Sequence, residues 1–261
     1  MDIIKKFMTK NRCYSSPVTI TVKKLVLHSL GVAQPNSDSI FNTMNTSTAS
    51  VSVHGFIEAE RVIQTLPWNY RAWHVGSGIK GSYNSQAIGI EICEPKGHGY
   101  NGGTMVNYDV KANTEYFNKV YNNAVQLFAY LCEQFKLDPI NDIVCHCEAY
   151  SLGYGSNHAD VMHWFPKHGK SMDTFRKDVQ AAMIYTPTTT ITPKSSVKDV
   201  KWLQNRLNAA KTGYTIPVTG KFDYKTKLAV LIYADSKGWK SYETATGYSV
   251  GINTIKSLSK Y

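Results

Sequence analysis

No stretch of this 261-residue chain approaches the roughly 18 consecutive apolar residues that a membrane span needs, so membrane insertion is not expected. The opening MDIIKKFMTKNR carries charge but too short an apolar run for a signal peptide. Synthesis in the cytoplasm without a leader is the expectation. Cysteine is sparse, odd in number and irregularly spaced. Cys13, Cys93, Cys132, Cys145 and Cys147 therefore argue against a disulfide framework and read as small buried hydrophobes. There is no internal repeat, no HExxH helix and no recognised nucleic-acid-binding motif.

What is present is enough apolar sequence, 43%, to build a proper core. The formal charge of +10 is unevenly spread. Residues 186–261 hold 12 Lys and Arg against 4 Asp and Glu, whereas residues 1–185 hold 17 against 15. A basic tail beside a near-neutral larger part suggests an anionic polymer as partner, and charge alone admits nucleic acid or acidic wall polymers. The absence of a nucleic-acid motif disfavours the first.

Organisation follows from composition. YTPTTTITPKSSV carries two prolines among threonines and serines and reads as a linker, placed at 185–196 between a domain at 1–184 and one at 197–261. The first domain reads as mixed α/β, with strands at 22–28 (VKKLVLH), 51–58, 87–93 (AIGIEIC) and 142–147 (DIVCHC). Phe117, Val120, Tyr121, Ala124, Leu127, Phe128, Leu131 and Phe135 recur at helical spacing, which predicts a helix over 114–136 with Asn113 as its cap. Another helix is expected near 172–183. After the linker the pattern is helical: Ser196 with Asp199 resembles a capping box, and helices are expected at about 224–234 and 252–259.

The chemistry-bearing residues are mostly histidines. His28 ends an apolar strand, His146 lies in IVCHC, and His158, Asp160 and His163 crowd SNHADVMHWF. Zinc takes imidazole, thiolate or carboxylate, and a hydrolytic site keeps three protein ligands and one open position. Two strand-end histidines plus a ligand from a following loop can build such a site, but the spacing alone leaves ordinary core histidines as the alternative. In AIGIEIC, Glu91 falls on the face opposite Ile88, Ile90 and Ile92, where a carboxylate must pair, ionise at a cost, or work. Cys145 and Cys147, in a strand, would point away from His146 and so are not expected to share an ion with it.

The strings LVLHSLG, SVSVHGFIEAERVIQTLPWNYRAWHVGSG, NSQAIGIEICEP, VCHCEA and SNHADVMHWFPKHGKSMDTFR occur in that order. Together, over about 25–179, they resemble the type-2 N-acetylmuramoyl-L-alanine amidases, which share a fold with peptidoglycan-recognition proteins. The resemblance implies a mixed central sheet flanked by helices, with a Zn2+ site at the sheet edge held by His28, His146 and Asp160. His163 stands three residues from Asp160 as a rival third ligand. The resemblance also implies that Glu91 is the general base for the attacking water and that His158 steadies the oxyanion. Trp68, Trp73 and His74, in PWNYRAWHVGSG, would line the substrate groove, with core packing of one Trp as the alternative.

Two departures stand out. Val53 precedes His54 where some relatives carry tyrosine, and His158 stands where many have lysine. Histidine ordinarily titrates near neutrality, so activity is expected to fall more steeply at alkaline pH than in a His158→Lys variant; identical pH profiles would refute this.

The tail, VKWLQNRLNA, IPVTGKFDYKTKLAV and GYSVGINTIKSL, resembles the three-helix peptidoglycan-binding module of wall hydrolases. The expectation is a modular enzyme cutting the amide between N-acetylmuramic acid and L-alanine in bacterial peptidoglycan. Without a leader it would reach the wall after holin-type release or cell lysis, as a monomer or an oligomer of unspecified order. A non-catalytic peptidoglycan-recognition protein is the competing expectation.

Overall fold

Eight short segments extend into strands: β1 (Ile3–Lys5), β2 (Lys24–Ser29), β3 (Gly55–Ile57), β4 (Val62–Gln64), β5 (Ala87–Ile92), β6 (Gly99–Asn101), β7 (Thr104–Val106) and β8 (Ile143–Cys145). This is seen in a computed structural model that describes residues 3–183, 185–239 and 246–261. Six strands form one sheet in the order β1-β4-β3-β5-β2-β8, and β6 with β7 makes a separate hairpin. Only β3 and β4 pair antiparallel within the large sheet; the rest run parallel, giving a mixed sheet.

The register of β2 on β5 places His28 opposite Glu91 and Val26 opposite Gly89. Paired residues project to the same face, so the strand-end histidine and the strand carboxylate share a side of the sheet. The alternate residues Leu25, Leu27, Ile88, Ile90 and Ile92 are fully buried.

Nine helices follow or interrupt the strands among the described residues: α1 (Arg12–Ser15), α2 (Asp38–Met44), α3 (Thr114–Phe135), α4 (Pro139–Asp142), α5 (His146–Ser151), α6 (Met172–Met183), α7 (Val197–Ala209), α8 (Tyr224–Ser236) and α9 (Ile252–Leu258). The stripe expected of α3 is buried from Phe117 to Leu131, with Ala129 and Cys132 added, and α3 packs on α6 and β3. Asn113 makes no side-chain cap; Lys136 ends the helix in the left-handed region at φ 56°.

The chain divides into two compact units, one of which is Ile3–Met183. The other contains α7, α8 and α9 around Val200, Leu203, Leu207, Val230, Tyr233 and Leu258. The Pro/Thr/Ser segment at 185–196 falls within this second unit. Ile191 is fully buried and exchanges backbone hydrogen bonds with Val250, and Tyr185 packs against the same core. One β-branched apolar residue at the right place is enough to anchor a segment whose composition reads as a tether. Ser196 accepts from the Asp199 N–H as the α7 cap. No helix among the described residues is long and apolar enough to cross a membrane.

Candidate active site

β2 and β5 end beside one another, and the segment after α5 folds back over them. There a cavity of about 650 Å³ is lined by residues that include His28, Glu91, Tyr100, His146, His158 and Asp160. Ligand sites in open α/β sheets commonly form outside the carboxyl ends of strands, and this one does.

His146 is delivered differently from the sequence expectation. The strand stops at Cys145, and His146 opens α5 instead of continuing β8. The Glu148 carboxylate accepts the Cys145 N–H at 3.0 Å, satisfying the backbone locally and ending the ladder. Arg176 holds the junction from α6, donating to the Ile143 carbonyl at 2.9 Å and to Glu148. The strand geometry that would turn both cysteines away from His146 therefore ends at Cys145, and the Sγ atoms of Cys145 and Cys147 lie 3.2 Å from each other. Neither thiol joins His146 in a metal-type group.

His28, His146 and Asp160 do form such a group: one donor atom from each lies within 4.8 Å of the others. Asp160 Oδ2 is 3.0 Å from His28 Nδ1 and 3.6 Å from His146 Nδ1. The Cys147 N–H donates to the Asp160 carbonyl at 3.2 Å, tying the two ligand-bearing segments together. Burial pushes the Asp160 carboxyl up, but hydrogen bonds from His146 and His28 outweigh it, and the group is held well below the usual carboxylate range. Burial lowers His28, against the opposing pull of Asp160. Two imidazoles and a carboxylate on the wall of an open cavity suit a cation that keeps a fourth position free, as hydrolytic zinc does.

Glu91 completes this wall. Its Oε2 is buried with no hydrogen-bond partner. Burial, then Asp160 and Glu94, hold its carboxyl well above the ordinary range. An unpaired buried carboxylate is costly, and a nearby cation relieves that cost. His158 is exposed, stacks on His146 with ring centroids 4.3 Å apart, and lies 3.1 Å from Ser156 Oγ through Nδ1.

The aromatic loop splits. Trp73 lines the cavity, whereas Trp68 is 8% exposed and lies outside the lining, so its ring serves the interior. His74 touches the cavity but has Nδ1 2.9 Å from His28 Nε2, behind the metal-type group. His54 is buried as a structural residue, its Nε2 donating to the Tyr70 carbonyl at 2.7 Å and its Nδ1 accepting the Gly89 N–H at 3.0 Å.

His163 stands apart from the three. Its Nε2 lies 2.8 Å from the Tyr100 hydroxyl and 3.3 Å from Glu94 Oε1. Glu94 is fully buried and also accepts from the Gly31 N–H, from Tyr100 at 2.6 Å and from His98 at 3.0 Å. This network ties the β6–β7 hairpin to the end of β5. Sequence reasoning missed it, since CEPKGHGYNGG has no periodicity; the cluster of Glu, His and Tyr within seven residues was the available signal. His163→Ala is expected to keep full zinc stoichiometry by metal analysis while losing stability, about 1–3 kcal/mol for a buried carboxylate left short of a partner. Loss of the metal would return His163 to the ligand set.

The buried histidines also make stability pH-dependent. Burial lowers His54 to about 4, against an ordinary value near 6.5. A depressed folded-state value means its stabilisation is complete above about 6.5 and is lost as pH falls towards 4, because the unfolded chain takes up the proton first. The difference is about 3 kcal/mol, and the low Asp160 value acts in the same direction at still lower pH. Metal-free protein is expected to melt on the order of 10 °C lower at pH 4.5 than at pH 7.5 by calorimetry. Equal melting temperatures would show that His54 does not fold as a neutral group.

The mixed sheet thus carries His28 and Glu91 at its strand ends, with His146 and Asp160 beside them in a group that could hold a metal ion. The chain belongs to the N-acetylmuramoyl-L-alanine amidase family, Amidase_2, whose profile matches residues 18–166. It is 29% identical over 147 residues to the N-acetylmuramoyl-L-alanine amidase CwlA of a Bacillus species, covering 56% of this chain and 52% of that protein. The match thus spans about half the length of that relative. Among solved structures, PlyL superimposes with a TM-score of 0.50 at 25% identity, over 69% of this chain and 97% of that one. The Staphylococcus aureus hydrolase AmiA, solved with its ligand, superimposes with a TM-score of 0.55 over 70% of this chain and 84% of that one; at 18% identity it speaks for the fold alone.

Proposed function

We propose that the protein is a zinc-dependent amidase that hydrolyses the bond between N-acetylmuramic acid and L-alanine in bacterial peptidoglycan. The observation that carries this reading is the convergence of His28, His146 and Asp160 on one wall of the cavity with the unpartnered Oε2 of Glu91. A zinc ion held by the three residues would polarise the scissile carbonyl and make water a stronger nucleophile. Glu91, in register with His28, takes the proton of the attacking water and returns it to the leaving amine. His158, exposed at the cavity and stacked on His146, donates to the oxyanion of the tetrahedral intermediate. Trp73, half-buried at the rim, offers an apolar face to sugar or peptide.

The α7–α9 unit acts as the wall anchor in this reading. Its excess of Lys and Arg suits anionic wall polymers, and Tyr224 and Tyr248 are 71% and 54% exposed, Tyr248 with the Lys227 ammonium 4.1 Å from its ring centroid. Tethering raises the local concentration of wall at the cavity.

Digestion of purified cell walls tests the function. New L-alanine amino ends without new reducing sugar, abolished by a chelator and restored by zinc, are expected. Adsorption to walls without any release would establish the non-catalytic recognition reading instead.

A further inference from the structure

The two ring nitrogens of His28 face opposite surroundings. Nδ1 lies towards Asp160 and the cavity, 3.0 Å from Oδ2, while Nε2 lies 2.9 Å from His74 Nδ1. A neutral imidazole that gives Nδ1 to a cation must carry its proton on Nε2, and that N–H then needs an acceptor. His74 Nδ1 is the atom in place to accept it.

The surroundings of His74 are built for this contact. A Cβ on Gly89 would stand 2.3 Å from both Cγ and Nδ1 of the His74 ring and 2.7 Å from Cδ2. β5 therefore omits a side chain at the one position where the imidazole lies on the strand. The backbone is clamped as well: Asn84, itself buried, accepts the N–H of His74 at 2.9 Å and that of Val75 at 3.0 Å through one oxygen. His54 cannot compete as a partner, since both of its nitrogens are engaged by backbone. His74 Nε2 is buried without a hydrogen bond, which leaves His28 as the ring's side-chain partner.

We propose that His74, seated in the gap left by Gly89, is a positioning residue that sets the tautomer and ring orientation of His28 for metal binding. The proposal rests on His28 being a metal ligand. It assigns His74 to the support of the metal group and leaves the stacking role in that loop to Trp73.

Zinc affinity of the full chain, measured by competition with a chromophoric chelator, and ¹⁵N spectra of the His28 ring in zinc-loaded protein test this. His74→Ala is expected to weaken zinc binding roughly 10- to 100-fold, the usual effect of losing an outer partner of a metal ligand. Gly89→Ala, which displaces the ring without removing it, is expected to act in the same direction. His74→Gln, which keeps an acceptor oxygen, is expected to recover part of the affinity. The His28 proton should sit on Nε2 in the wild type. Zinc affinity within two-fold of wild type in both His74→Ala and Gly89→Ala, or a His28 proton on Nδ1 in the loaded protein, would overturn the proposal. An effect of His74→Ala on KM for wall fragments alone would restore a substrate-contact role. Should His74→Ala fail to fold, Gly89→Ala and His74→Gln carry the test. Unchanged zinc binding in His28→Ala would instead sink the ligand reading beneath it.

Discussion

Glu91→Gln is expected to retain full zinc and lower turnover of purified walls roughly 100- to 10,000-fold, the range that loss of a positioned general base produces. The substitution keeps the volume and one acceptor but removes the ability to take a proton. The position leaves little else for the side chain to do: it faces the cavity in register with His28, and Oε2 has no partner. Because burial holds the carboxyl high, the metal-free protein should carry it protonated to an unusually high pH, and cation binding should favour the ionised form. Zinc uptake should accordingly release fewer protons in Glu91→Gln than in wild type, readable by calorimetry in buffers of different ionisation enthalpy. Turnover within a few-fold of wild type in Glu91→Gln would place the base elsewhere.

Asp160→Ala is expected to abolish stoichiometric zinc binding. Its Oδ2 sits between the two imidazoles, and removing it leaves two ligands with no anionic charge among them. The fall in affinity should exceed the roughly 10- to 100-fold typical of an outer-shell partner. Asp160→Asn separates charge from shape, since the amide oxygen can occupy the same place; it is expected to bind zinc weakly as well. Metal analysis of both, beside His163→Ala, decides the ligand set. Full zinc in Asp160→Ala with none in His163→Ala would exchange the two residues. The structure argues against that outcome, because His163 is already engaged with Tyr100 and Glu94.

Sequence and structure agree where the signal is long or alternating. Six residues of β5 alternate cleanly, and α3 repeats its apolar stripe over 22 residues, so each could be read without partners. His28 and Glu91 could be placed on strands for the same reason. Three-residue strands such as β1, β6 and β7 escaped, since a run of that length has no measurable period and exists only through its ladder partner. The start of α5 escaped because one carboxylate, Glu148, decides where β8 stops.

The metal-type group that the sequence pointed to thus has two origins. The residue types, the alternation that puts Glu91 on the face away from the isoleucines, and the order of the motifs are properties of the chain itself. Tertiary structure alone decided the rest, because it depends on contacts across 46 to 134 residues: His74 behind His28, and Ser29 and Glu94 beside His163 in place of a metal. Which nitrogen of a histidine faces a cation is set by what the other nitrogen meets, and no local pattern encodes that.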